Sequence, residues 1–195
     1  MKRLLSLLAI SVAMTGCHIE TEAPKPTSAS PVSTNKRPVE GEGEREPVVT
    51  TAPKPLKHPD RIYQLEDLQT TKIRVNGAEI DAWIMNDDSK RAEGMMFLKP
   101  GEVKDTQGMI FVYNSEQDKS HGFWMQNTYT PLDIIYIGSD KRVISIGKGE
   151  PLNTSNVTPT ANYQYVLELK QGAAKKFGIK PGVQIDIPPE IMAEG

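Results

Sequence analysis

The distribution of aromatic residues limits most strongly what this chain of 195 residues can fold into. All twelve aromatic residues lie between Tyr63 and Phe177. Residues 18–60 contain none of them but hold eight of the 15 prolines, so this stretch buries too little apolar surface to offset the entropy lost on ordering. The sequence therefore predicts one folded domain, residues 61–195, preceded by an extended polar segment.

The N-terminus has the charge order of an export signal. Lys2 and Arg3 precede an apolar run over residues 4–14. This run has the length of a secretory signal and is too short for a membrane-spanning helix. We therefore expect a signal peptide over residues 1–16.

The residues that end this leader are Met14-Thr15-Gly16-Cys17. In this position they resemble the bacterial lipobox, in which small residues precede a Cys whose sulfur receives a diacylglycerol. The resemblance predicts lipidation of Cys17, followed by a disordered Pro-rich tether over residues 17–60. The membrane, reached through this lipid anchor, is then the first predicted partner.

Lipidation of Cys17 predicts a cell-envelope protein that faces the periplasm. His18 stands where many lipoproteins of the inner membrane carry Asp, which favours the outer membrane. Since Cys17 is the only cysteine, the mature chain would have no thiol nucleophile, disulfide or thiolate metal ligand. The formal charge of −2 argues against nucleic acid as a partner, because nucleic acid needs a clustered basic face.

Period-two alternation dominates the folded part. Ile73 and Val75, the turn signal Asn76-Gly77 and a second alternating run over residues 78–85 predict a β-hairpin. Further strands are expected over the following stretches: residues 108–113, 134–137, 142–146, 163–169 and 183–187.

Two short helices are expected between these strands. Asp87 can cap the first, which Gly94 would end, and the second covers residues 171–177 before Gly178. The fold class is therefore mainly β (α+β), and several short strands at this spacing favour a compact barrel- or sandwich-like single domain.

The folded part contains six short sequence blocks of glycine, apolar and polar residues. They are Gly94-Met95-Met96, Gly108-Met109-Ile110-Phe111-Val112, Phe123-Trp124-Met125-Gln126-Asn127-Thr128, Pro131-Leu132-Asp133-Ile134-Ile135-Tyr136, Val166-Leu167-Glu168-Leu169 with Gly172, and Gly178 with Pro181-Gly182. In this order and spacing they resemble the family called domain of unknown function 192, over about residues 65–188. The resemblance implies a compact β-rich fold and supplies no established biochemical activity.

The segment HGFWMQNTYTPLDIIYI, residues 121–137, holds most of the candidate site. A flat aromatic ring near amide, hydroxyl and carboxyl groups suits sugars, peptides and other neutral polar ligands. The predicted ligand-binding residues are Trp124, Asn127, Thr128, Asp133, Met96 and Met125. The alternative is structural, with Asp133 accepting backbone N–H groups from the loop of residues 127–130.

A soft-metal site is a second alternative. His121, Met125 and Met109 combine imidazole and thioether groups, which suit Cu(I). Methionine also fills irregular gaps in apolar cores, and this reading is favoured. No metal and no cofactor is therefore expected.

Hydrolytic catalysis has the least support. His121, Asp133 and either Ser120 or Ser139 could be combined into a triad, but the sequence has no Gly-Xaa-Ser-Xaa-Gly motif. Glu168 could pair with Asp133 as a second carboxyl group, yet its place between apolar residues of a strand predicts that it faces solvent or is paired. No catalytic residue is assigned.

The function expected from the sequence is non-enzymatic binding of a ligand or a partner. The partner would be a small molecule, a glycan or a protein of the cell envelope. A structural or assembly scaffold is the nearest alternative, and a flat surface around residues 124–133 would favour it over a concave one.

Overall fold

The computed structural model describes residues 57–194, which form one six-stranded sheet. The strands are β1 (Thr70–Val75), β2 (Ala78–Met85), β3 (Gln107–Gln117), β4 (Leu132–Ile137), β5 (Val143–Gly149) and β6 (Tyr163–Lys170). Their order in the sheet is β1-β2-β3-β6-β4-β5. Strands β2 and β3 are parallel and the other neighbouring pairs are antiparallel, so the sheet is mixed.

The predicted signal peptide, the lipidation site Cys17 and the tether up to residue 56 lie outside the described residues. The last residues of the predicted tether are described. The backbone N–H of His58 donates to the Gln64 side chain at 2.6 Å, so ordered contacts begin before residue 61.

The first hairpin forms as its sequence predicts. Asn76 and Gly77 both have positive φ, 50° and 80°, as a two-residue turn of the primed type requires. The register then pairs Val75 with Ala78 and Ile73 with Ile80. Alternation places these apolar side chains on one face of the sheet.

Two short α-helices are present in residues 57–194, and neither is long and apolar enough to cross a membrane. Helix α1 (Asp88–Glu93) is capped at its N-terminus by Asp87, whose side chain accepts the Lys90 N–H at 2.8 Å. Helix α2 (Ala173–Lys176) ends before Gly178, which has a φ of 66°. A 3₁₀ turn, Leu65–Asp67, precedes β1. The predicted content of mainly strand with two short helices is confirmed.

Both faces of the sheet are covered by apolar layers. The first face is covered by α2 and the C-terminal segment, whose Ile179, Ile185 and Ile187 pack against the strands. The second face is covered by the chain after α1 and by the loop between β3 and β4, which contribute Met95, Leu98 and Met125 among others. The central strand β6 therefore has no solvent-facing side over most of its length.

The sequence favours a barrel- or sandwich-like domain, and in residues 57–194 the sheet is open and does not close into a barrel. Strands β1 and β5 stand at the two edges of the sheet and are not paired with each other in the described residues. Residues 183–187, predicted as a strand, form single bridges to both edges, through Asp186 to Arg74 and through Gln184 to Arg142. Because this segment divides its backbone hydrogen bonds between two edges, it forms a ladder with neither.

Candidate functional site

A pocket of about 300 Å³ opens on the second face of the sheet. Helix α1 and the turn after it form one wall, and the loop after β3 forms the other. Its volume is at the lower end of the range for small-molecule sites. The residues that line it are Asp88, Arg91, Ala92, Glu93, Gly94, Met95, Met96, Phe111, Tyr113, Gly122, Phe123, Trp124, Thr128 and Glu168. We refer to it as the Glu168 pocket.

Glu168 lies on β6 on the pocket side of the sheet. Its neighbours across the sheet are Met109 on β3 and Ile134 on β4, both fully buried. The residue is only 4% exposed, and its Oε2 has no hydrogen-bond partner in residues 57–194. The sequence-based expectation that Glu168 is paired or faces solvent was therefore wrong, because β6 is a central strand with both faces covered.

Burial changes the acidity of Glu168. Removing a carboxylate from water disfavours its charged form, and this desolvation raises the pKa of Glu168 from 4.5 to about 8. At neutral pH the group is therefore mainly a neutral carboxylic acid, which can donate one hydrogen bond.

Two tyrosines near Glu168, Tyr136 and Tyr163, have other partners. The Tyr136 hydroxyl donates to the carbonyl of Val157, and the Tyr163 hydroxyl donates to the carbonyl of His121 at 2.9 Å. Burial raises the pKa of Tyr136 and of Tyr163, so these hydroxyl groups stay protonated and committed to the backbone. A hydroxyl that donates its single proton elsewhere cannot also donate it to Glu168.

The aromatic side chains form a continuous layer beside the carboxyl group. Phe111 and Phe123 meet edge to face with centroids 4.9 Å apart, and Phe123 meets Tyr136 at 6.0 Å. Trp124, 50% exposed, lies at the rim. One wall of the pocket is thus aromatic.

Gly94 shapes the wall that faces Phe111. Its φ of 46° belongs to the region that favours glycine, and a Cβ added there would lie 3.1 Å from Phe111 Cζ and 3.7 Å from Glu168 Oε2. A side chain at this position would therefore enter the pocket as well as strain the backbone.

The second carboxyl group of the pocket wall, Glu93, is fully used. Its oxygens accept the backbone N–H groups of Ile62 and Tyr63 at 2.7 and 3.0 Å, and Arg61 Nη2 lies 3.3 Å from Glu93 Oε2. Arg61 also donates to the carbonyl of Gly94 at 2.9 Å. This arrangement fixes the turn after α1 against the chain before β1, and it leaves Glu168 as the uncommitted carboxyl group.

Arg91 lies at the α1 side of the pocket. Its guanidinium lies 4.9 Å from the centroid of the Tyr113 ring and donates to the carbonyl of Val112 at 2.8 Å. It also donates to Asp88 at 2.6 Å, within the same helix.

The structure brings together three of the six predicted ligand-binding residues. Met96, Trp124 and Thr128 line the Glu168 pocket. Asn127 lies beyond the lining, with a φ of 54°, and its carbonyl accepts the Phe97 N–H at 2.7 Å. Met125 is buried beneath the loop, where its sulfur packs against Gly149.

Asp133 lies on the opposite face of the sheet from the pocket. It follows Leu132 on β4, and its Oδ2 accepts the backbone N–H groups of Gly172 and Ala174 at 2.9 and 3.0 Å. Its Oδ1 pairs with Lys148. The expectation that residues 127–130 donate backbone N–H groups to Asp133 was therefore wrong. The N–H groups at the start of α2, together with Lys148, satisfy this fully buried carboxylate instead.

The residues of the predicted Cu(I) alternative are in different environments. Met109 and Met125 are buried in the apolar layer of the second face, and His121 is exposed. Residues 57–194 contain no group of three His, Cys, Asp or Glu side chains placed to hold a metal ion.

The fold and the pocket define a class of protein: a mainly β domain that holds a buried, uncommitted carboxyl group beneath an aromatic cavity. The chain belongs to the family DUF192, described as "Uncharacterized ACR", whose model matches residues 71–187. The resemblance seen in the sequence blocks is thus confirmed.

Two solved structures are similar to this chain. One is a protein of unknown function from Novosphingobium aromaticivorans DSM 12444, with 32% identity, a TM-score of 0.58, and coverage of 70% of this chain and 94% of that one. The other, from Sinorhizobium meliloti 1021, is named as a candidate transcription regulator. It has 26% identity and a TM-score of 0.56, and the match covers 61% of this chain and 94% of that one. No curated protein matches the chain.

Proposed function

We propose that this chain is a cell-envelope lipoprotein, anchored through Cys17, whose DUF192 domain binds a small polar ligand in the Glu168 pocket. The observation that carries the proposal is the buried Glu168 carboxyl group, which has no hydrogen-bond partner for Oε2 in residues 57–194 and lies at the pocket floor. A ligand is the partner that this group lacks.

The cost of the unpaired carboxyl group supports a binding role. Leaving a buried polar group without a partner costs about 1–3 kcal/mol. Other buried acids of this domain avoid that cost, since Glu93 and Asp133 each accept two backbone N–H groups. Glu168 therefore differs from its neighbours in being open to a pocket instead of being closed by the fold.

The chemistry of the pocket indicates what the floor would bind. A neutral Glu168 donates a hydrogen bond, so the buried end of the ligand would carry an acceptor such as a carbonyl or hydroxyl oxygen. The edge-to-face pair Phe111 and Phe123, with Trp124 at the rim, offers flat apolar surface to a ring. The concave shape favours ligand binding over a flat scaffolding surface.

The lipid anchor and the tether of residues 17–60 would hold the domain on the periplasmic side of the envelope, with the outer membrane favoured. Nucleic acid is not part of the proposal, although the Sinorhizobium meliloti protein is named as a candidate transcription regulator, because a formal charge of −2 offers no general attraction for nucleic acid.

Acetanilide is a suitable first probe, because it combines an aromatic ring with an amide carbonyl and fits the pocket volume. Its binding to the full-length protein in lipid nanodiscs would be measured by equilibrium dialysis, with empty nanodiscs as the reference. We expect binding at pH 6.5 that weakens as pH rises through 8, because ionised Glu168 no longer donates a hydrogen bond.

Two substitutions of Glu168 separate the hydrogen bond from the charge. In Glu168→Gln the amide still donates, so acetanilide binding should persist and lose its pH dependence. In Glu168→Met the donor is absent, and affinity should fall about fivefold to tenfold, as expected for one neutral hydrogen bond. Equal binding by wild type and Glu168→Met, or no binding at pH 6.5, would contradict the proposal, and Glu190→Gln is the exposed control.

A further inference from the structure

Arg91 is a charged group of the pocket wall. The proposed hydrogen bond between Glu168 and a ligand gives no role to this charge. A guanidinium has five N–H donors. In residues 57–194 only two contacts use them, to the Val112 carbonyl and to Asp88. The contact with the Tyr113 ring, at 4.9 Å, holds the guanidinium plane in position and consumes no donor.

The positive charge of Arg91 is weakly compensated. The Arg91 side chain is 13% exposed, whereas its partner Asp88 is fully in solvent at 102%. An ion pair with a solvated partner within one helix contributes little, because water and salt screen it. The other acid of the same helix, Glu93, is already committed to Arg61 and to backbone N–H groups.

Glu168 does not compensate Arg91 either. Burial raises the pKa of Glu168 to about 8, so at neutral pH its carboxyl group is mainly neutral and does not offset the charge of Arg91. The structure gives no ion pair between the two in residues 57–194. The pocket therefore carries a cation on its α1 wall, an aromatic surface, and a neutral hydrogen-bond donor on its floor.

We infer that the ligand of the Glu168 pocket is a small monoanionic carboxylate, whose carboxylate binds Arg91 and whose opposite end accepts a hydrogen bond from Glu168. This inference rests on the proposed binding function and adds the chemical class of the ligand. The guanidinium fork matches the geometry of a carboxylate, and the charge-assisted bond is stronger than a neutral one. The Glu168 carboxyl group must be neutral for this ligand to bind, since an ionised Glu168 would repel an anion.

A matched pair of probes isolates the carboxylate. One is 4-acetamidobenzoate, which adds a carboxylate to acetanilide at the far end of the ring, and the other is 4-acetamidobenzamide, its uncharged analogue. Dissociation constants would be measured at pH 6.5 on the full-length protein in nanodiscs. We expect the benzoate to bind about tenfold more tightly than the benzamide, in line with a charge-assisted hydrogen bond.

Variants at Arg91 test the origin of this preference. In Arg91→Gln the ratio of the two dissociation constants should fall to about one, and in Arg91→Lys it should be partly retained. The ratio reports the preference even when part of the protein is unfolded, because both probes see the same folded fraction. Arg74→Gln is the matched control, since Arg74 is exposed on β1 and pairs with Glu79.

The outcomes separate this inference from the proposed function. Equal affinity for benzoate and benzamide, or a preference that survives in Arg91→Gln, overturns the carboxylate assignment even when acetanilide binding depends on Glu168. Benzoate binding that is insensitive to Glu168→Met overturns the two-ended geometry. Failure of the proposed function has another signature, in which no probe responds to substitution of Glu168.

Discussion

Replacement of Glu168 by Gln should make the folded protein more stable, by an amount that depends on pH. The Glu168 side chain is buried, and this burial raises its pKa to about 8 in the folded protein from a reference value of 4.5. Below pH 4.5 the group is protonated in both states, so it makes no pH-dependent contribution. As pH rises through 4.5 the unfolded chain loses its proton while the folded protein keeps it, and folding stability falls until pH 8.

The magnitude follows from the width of this window. Each unit of pKa difference is worth about 1.4 kcal/mol, so at pH 7, two and a half units above the reference, the cost to the wild type is about 3 kcal/mol. Gln has nearly the same shape but does not titrate. The stability gain of Glu168→Gln should therefore grow from about zero at pH 4.5 to about 3 kcal/mol at pH 7 and level off above pH 8.

Urea unfolding of the full-length protein, followed by Trp fluorescence at half-unit steps from pH 4.5 to 9, measures this difference. Glu190→Gln, at an exposed carboxyl group, controls for the change of net charge. A difference between Glu168→Gln and wild type that does not change with pH would refute the reasoning. So would a variant less stable than wild type at pH 7. The first result would mean that folding does not raise the pKa of Glu168, and the second that Glu168 has a partner in the folded protein.

Three further substitutions test the surroundings of the site by urea unfolding at pH 7. Asp133→Asn removes the charge that holds the start of α2 and pairs with Lys148, and we expect the free energy of unfolding to fall by about 2–3 kcal/mol. Lys148→Met should cost less, because the Lys148 side chain is 58% exposed. Equal losses in the two variants would contradict this. Gly94→Ala should cost about 1–3 kcal/mol through its positive φ and the approach to Phe111, and a neutral result would show that the turn relaxes. Trp124→Ala should change stability by less than about 1 kcal/mol, since Trp124 is half exposed, while a large loss would make it a core residue.

Local features of the fold could be predicted from the sequence. The hairpin at Asn76-Gly77 and helix α1 capped by Asp87 depend on turn and cap chemistry within a few residues. The open sheet could not be predicted in this way. Residues 183–187 alternate as a strand does. In the structure they form single backbone bridges to Arg74 and to Arg142, at the two edges of the sheet, and the positions of these edges are not encoded in the segment itself.

The candidate site shows the same limit. Trp124 and Thr128 were identified from their residue types, and the structure places both in the pocket wall. The sequence predicts that Glu168 faces solvent or is paired, because its place between apolar residues is typical of a half-exposed strand. That assignment fails for a central strand, where both faces are covered. The signal available in the sequence was the single acid within Val166-Leu167-Glu168-Leu169, a run without other polar residues.

Chemical labelling tests the central claim most directly, namely that Glu168 is neutral and reachable from the pocket. Diisopropylcarbodiimide is small and apolar, and it reacts with the protonated form of a carboxyl group. Peptide mapping by mass spectrometry after treatment at pH 7 should find Glu168 as the main modified acid in residues 57–194. The labelling of Glu168 should decline above pH 8, and acetanilide should reduce it. An unmodified Glu168, beside equal or greater labelling of exposed Glu190, would contradict the account.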